Sequence, residues 1–197
     1  TWHACAAAVR ISQRMAKLNE KWIEEGLEPL QIRVGIHCDS VMVGNIGSKH
    51  RMSYTVMGDA VNLTSRLEGI NKEYGTQICV SQSVYREVGE RLLLRPIDEV
   101  AVKGRRGTLQ IYELLGLIDH AGVHSDSETD AEAAVLCDMT KFAYKAYISQ
   151  SWQEGIVRYQ DILARFPNDQ LSAQMLKRCQ TACQLACQLA PDSKIST

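Results

Sequence analysis

No apolar run approaches the roughly 18 residues that a bilayer-crossing helix needs, which excludes a membrane-spanning helix from this stretch of chain. No Cys-x-x-Cys pair occurs either. The seven cysteines stand at irregular spacings, which argues for a reducing, cytoplasmic compartment and against a disulfide framework. Net charge is almost absent, at −1, so no broad basic field invites nucleic acid or an anionic membrane, and a phosphate ligand has to be held by local cations. The opening T-W-H-A-C carries neither an initiator methionine nor a signal-peptide pattern and reads as the start of a piece of something longer.

The composition that is present, 45% apolar and 23% charged, is that of a globular protein, and 197 residues suffice for one domain with an extension. The chain is organised around Tyr54 to Arg66, Y-T-V-M-G-D-A-V-N-L-T-S-R. Met52, Tyr54, Val56 and Met57 suit a short strand, Gly58 permits a sharp exit, and Asp59 suits the N-cap of a helix. On that helix Leu63, Leu67 and Ile70 mark an apolar face, while Asn62 and Arg66, four apart, lie one above the other. A guanidinium beside an amide suits a phosphoryl group and a sugar or bridging oxygen. A solvated surface pair has the same spacing, and spacing alone leaves both readings open.

In chain order, residues 4–25 read as an amphipathic helix with Ile11, Met15, Leu18 and Trp22 at helical spacing, closed by Gly26 and Pro29. Residues 30–37 alternate as a strand, with Leu30, Ile32, Val34 and Ile36 on one face and Arg33 and His37 on the other. The segment Val41 to Gly47 fits a short helix or a glycine-bent turn, and Ser48 to Arg51 a polar loop. After Gly75 ends the central helix, Gln77 to Val80 suit a short strand and Ser81 the cap of a brief helix. Leu92 to Val102 is extended with a break at Pro96, K-G-R-R-G at 103–107 is a basic hairpin, and Leu109 to Leu115 returns. The sum is an α+β sandwich with helices on one face of a largely antiparallel sheet.

Residues 116–134, polar and acidic, read as a linker, and their His120, His124 and Asp126 as linker residues rather than a metal site. Residues 135–190 read as a helical extension. Ala143, Tyr147, Trp152, Tyr159 and Phe166 fit one helix-turn-helix unit of the tetratricopeptide kind, which cannot bury its own face and needs a further helix, the preceding domain or a protein partner. Cys179, Cys183 and Cys187 recur every four residues and suit small apolar packing better than a thiolate metal stripe.

Taken together, I-R-V-G-I-H at 32–37, V-G-N-I-G at 43–47, Y-T-V-M-G-D-A-V-N-L-T-S-R-L-E at 54–68 and V-K-G-R-R-G at 102–107 resemble the C-terminal half of a class III nucleotidyl cyclase catalytic domain, over residues 1 to about 115. The resemblance implies a partial ferredoxin-like cyclase sandwich and the conversion of ATP to cyclic AMP and pyrophosphate, with guanylate cyclase or a non-catalytic regulatory or adaptor module as alternatives. It implies that Arg66 stabilises the transition state, Asn62 orients the ribose, Thr55 contacts the base in a manner that favours ATP, and Arg33 and Lys103 reach the triphosphate from opposite half-sites. It also implies two Mg2+ (or Mn2+) ions held by residues upstream of this chain, none by the chain itself, so that this piece alone is expected to be inactive. The partners implied are ATP and a second cyclase domain, as a homodimer.

Overall fold

The computed structural model describes residues 1–48, 51–101, 107–118 and 128–189. Helix α1 spans Trp2–Glu24, β1 Val34–Ile36, β2 Met42–Ser48, β3 Arg51–Met57, α2 Asp59–Tyr74, β4 Ile78–Ser81, α3 Gln82–Val88, β5 Leu92–Ala101 and β6 Thr108–Leu117. Three further helices follow: α4 Glu128–Ile148, α5 Trp152–Arg165 and α6 Gln170–Leu189. Four strands form a sheet in the order β1-β4-β6-β5, and β2 and β3 form a separate antiparallel hairpin. Pairing is parallel between β1 and β4 and antiparallel elsewhere. Among the described residues no helix is long and apolar enough to cross a membrane.

The sheet is covered on both faces, not on one. Ile78, Val80, Leu92, Leu94 and Leu114 pack with Cys5, Ala8 and Val9 of α1 and Val84 of α3. The intervening Cys79, together with Ile97 and Ile111, packs with Leu63, Leu67, Ile70 and Tyr74 of α2 and with Ala143, Tyr144, Tyr159, Ile162, Leu171, Met175 and Cys179 of α4–α6. Successive strand residues point to opposite faces, so a strand buried on both sides reads as a continuous apolar run such as I-C-V. The extension therefore finds the cover it needs on the preceding domain.

Other expectations need correction. Val41 to Gly47 is neither helix nor bend: Met42 to Ser48 pair residue by residue with Met57 to Arg51. The strand at 30–37 shrinks to Val34–Ile36. The stripe expected to bury α1 is displaced, because Ile11 and Leu18 are exposed while Cys5, Ala8 and Val9 are buried; small side chains let the first turns approach the sheet, and a later turn meets the segment before β1, where Asn19 bonds Leu30. Helix starts at Glu128, ahead of residue 135. Of the three spaced cysteines only Cys179 joins the core, with Cys183 partly buried and Cys187 exposed; a Cβ on Gly155 would lie 3.0 Å from the Cys179 sulfur, so α5 and α6 cross closely there. His120, His124 and Asp126 lie outside the described residues.

Candidate active site

Helix α2 and the strand before it hold most of the predicted site. Thr55 lies on β3, opposite Gly44 of β2, on a strand exposed at every position. The chain leaves β3 through Gly58, whose φ of 146° belongs to glycine. Gly58 rather than Asp59 is the N-cap, and Asp59 falls in the first turn, where its charge still complements the helix dipole. One turn on, Asn62 and Arg66 are exposed while Leu63, Leu67, Ile70 and Tyr74, on the adjoining face, are buried.

Close approach to β1 fixes the position of α2. A Cβ on Gly35 would lie 2.5 Å from the Thr64 carbonyl oxygen and 2.6 Å from the Glu68 nitrogen, so only glycine admits the helix at this distance. Asn71, fully buried, donates from Nδ2 to the Val34 carbonyl at 3.0 Å and accepts from the Thr76 hydroxyl at 2.7 Å. Gly75, in the left-handed region, ends the helix, its N–H donating to the Asn71 carbonyl.

Arg66 donates from Nη1 to the Ala101 carbonyl at 2.7 Å, which rests the guanidinium against the end of β5. Arg33, just ahead of β1, donates from Nε to Glu68 Oε1 at 3.0 Å. Glu68 is two positions beyond Arg66, and residues so spaced do not share a helix face. Thr55, Asn62 and Arg66 thus come from one continuous strand-turn-helix, while Arg33 is bound on another side of α2. Lys103 lies outside the described residues.

Three features escaped the sequence reading. Glu68 and the Ala101 carbonyl, which hold the two arginines, carry no sequence signal. His37, at the end of β1, is nearly buried and its Nδ1 lies 2.8 Å from the Ser81 hydroxyl and 3.1 Å from that of Ser83. Ser81 precedes α3 without capping it through its side chain; its hydroxyl serves His37 and Ser83 instead. Asp39 accepts the Ser40 N–H at 2.8 Å, in keeping with a turn role. Among the described residues no three His, Cys, Asp or Glu side chains converge as metal ligands.

Residues 1–116 match the family model for the adenylate and guanylate cyclase catalytic domain. The chain is 40% identical over 116 residues to adenylate cyclase 1 of Rhizobium meliloti, covering 59% of this chain and 17% of that protein. It is 38% identical over 118 residues to an adenylate cyclase of Anabaena cylindrica, covering 56% and 24% respectively. Among solved structures, the adenylyl cyclase CyaB from P. aeruginosa matches at 35% identity with a TM-score of 0.44, over 52% of each chain. The chain therefore spans less than a quarter of the length of either relative matched by sequence. Through residues 1–116 it belongs to the adenylate and guanylate cyclase catalytic domain family.

Proposed function

We propose that the protein containing this chain is an adenylate cyclase that closes ATP to 3′,5′-cyclic AMP with release of pyrophosphate, at a site shared between two cyclase domains. The observation that carries this reading is the exposure of Asn62 and Arg66 on one face of α2, directly after the exposed strand bearing Thr55. Nothing in the core requires an amide and a guanidinium there. Attack of the ribose 3′-oxygen on the α-phosphorus builds negative charge on the phosphoryl oxygens and on the departing pyrophosphate; donors already in place stabilise that charge without rearrangement of solvent.

Arg66 is the transition-state donor. It exchanges the Ala101 carbonyl for phosphoryl oxygens, an exchange favoured because a charged acceptor bonds more strongly than a neutral one. Asn62 orients the ribose, and the Thr55 hydroxyl accepts from the adenine amino group, which favours ATP over GTP. Arg33, on another side of α2, and Lys103 belong to contacts with the triphosphate from separate half-sites. That division is what a symmetric pair of domains supplies. Two magnesium ions would be held by residues outside this chain and would supply further charge neutralisation.

The test is cyclic nucleotide formation from ATP and from GTP by a protein that includes the preceding half-domain, beside its Arg66→Ala variant. The reading expects ATP to be preferred and the variant to lose about 100-fold or more in turnover, as when one oxyanion donor is removed. Folded, dimeric protein inactive with both nucleotides would overturn it, and a preference for GTP would overturn the role given to Thr55.

A further inference from the structure

The helical extension does more than cover the sheet, because one of its side chains reaches both elements that hold Arg66. Arg178 of α6 donates from Nη1 to Asp98 Oδ2 on β5. The same carboxylate oxygen accepts the hydroxyl of Tyr74, in the last turn of α2. The Arg178 guanidinium carbon sits 5.1 Å from the centre of the Tyr74 ring, and Nη2 approaches Glu73 at 3.5 Å. At the start of α6, Gln170 packs so tightly on the end of α2 that a Cβ on Gly75 would fall 2.0 Å from its side-chain oxygen.

These contacts form a bracket. Its near arm is the Arg66 bond to the Ala101 carbonyl, its far arm the Tyr74 bond to Asp98, and both end on β5. Arg178 closes the far arm from outside, beyond the 1–116 stretch shared with the cyclase family. Helix α2 lies against β1 as well, with Thr64 and Glu68 pinned at Gly35 and Asn71 bound to Val34, so what is left to the bracket is the roll of α2 about its own axis, which swings the exposed Asn62 and Arg66 side chains relative to β5.

We propose that Arg178 is a positioning residue: through Tyr74 and Asp98 it sets the seat of α2 on β5, and so the placement of Asn62 and Arg66, making the helical extension a clamp on the cyclase site. The catalytic part of this rests on the function proposed above; the mechanical part does not. A displacement of about 1 Å in a catalytic group can cost up to about 100-fold in turnover.

Two measurements test it. Hydrogen–deuterium exchange on the 197-residue chain should show faster exchange in α2 for Arg178→Ala, slower again for Arg178→Lys, and unchanged for Arg158→Ala, which removes an exposed pair with Glu154 on α5 and a ring contact with Phe142 on α4, neither of them on α2. Tyr74→Phe, which keeps the ring and loses the hydroxyl, should shift α2 in the same direction by less. In the longer protein, Arg178→Ala should lower kcat roughly 10- to 100-fold with KM for ATP within about twofold, the pattern of a lost transition-state interaction. A role confined to stability predicts a lower melting temperature with kcat unchanged at temperatures where the variant is folded, and that result overturns the proposal. So does unaltered α2 exchange in both Arg178→Ala and Tyr74→Phe. If the unsubstituted longer protein makes no cyclic nucleotide, the functional reading falls together with the catalytic half of the proposal, and α2 exchange alone then decides the clamp.

Discussion

Removing the Arg95 side chain should destabilise the chain more than any exposed substitution. Arg95, on β5 and 3% exposed, donates from Nε to Glu113 of β6 at 2.6 Å. It also donates from Nη1 and Nη2 to the two carboxylate oxygens of Asp169, ahead of α6, at 2.9 and 2.7 Å. Arg95→Ala would leave two nearly buried carboxylates facing each other without a cation, an error that costs about 3–5 kcal/mol. For a chain of this size that corresponds to a fall in melting temperature of roughly 6–20 °C. The assay is urea unfolding followed by circular dichroism at several pH values.

The pH dependence makes the test sharper. In the intact chain burial would push Asp169 up, but hydrogen bonds and charge from Arg95 outweigh it and hold the carboxyl below its ordinary 3.8. A depressed carboxylate contributes stability above its unfolded value and loses it as pH falls through the folded one. Burial pushes Glu113 up despite Arg95, and without the cation both carboxyls would be raised, so the variant gains stability as pH falls toward the ordinary carboxylate range. The two curves must converge near pH 4, as an order-of-magnitude expectation from ordinary carboxylate values. A loss under about 1 kcal/mol at neutral pH, the size of an exposed pair, or a gap that ignores pH, would refute the reasoning. Arg95→Met with Glu113→Leu and Asp169→Asn should recover most of the stability, since asparagine keeps an oxygen to accept the Ser172 N–H.

Gly75→Ala places alanine in the left-handed region, which costs about 1–2 kcal/mol, and drives a methyl into Gln170; adding Gln170→Ala should remove the second part only, giving a measurable coupling in a double-mutant cycle of urea midpoints. Asn71→Ala strands the buried Thr76 hydroxyl and removes the side-chain bond to the Val34 carbonyl and should cost about 1–3 kcal/mol in the same assay, with no loss refuting the anchor. Thiol labelling of the native chain should modify Cys38 and Cys187 first, Cys183 slowly, and Cys5, Cys79, Cys137 and Cys179 only after denaturation. Burial pushes the Cys79 thiol up to about 12, so prompt labelling of that residue would contradict the two-sided packing of β4.

The parts of the fold legible in the sequence are those with a local physical signature. The apolar spacing of Leu63, Leu67 and Ile70 marks the buried face of α2, and Gly75 marks its end. The Met42 to Ser48 strand was not legible, because its glycines suppress β-propensity and its residues are mostly exposed; pairing with β3 makes it a strand. The seats of Arg33 and Arg66 depend on Glu68 and on a backbone carbonyl distant in the chain, and no spacing encodes either. Arg95 did leave a trace: a charge inside L-L-L-R-P-I is out of place unless it is paired, yet the pattern could not name Asp169, which stands on the far side of the extension's first two helices.

The apolar cluster behind α2 takes Leu67, Ile97 and Ile111 from before residue 116 and Tyr159, Leu171 and Met175 from well after it. The boundary of shared ancestry and the boundary of cooperative unfolding therefore fall in different places. Heat or denaturant should melt α2, β5 and α4–α6 in one transition, with no separate step for the helices. Substitutions among the helical residues of that cluster then act on the abundance of the cyclase-related part as directly as substitutions within it, because the two parts share the core behind α2.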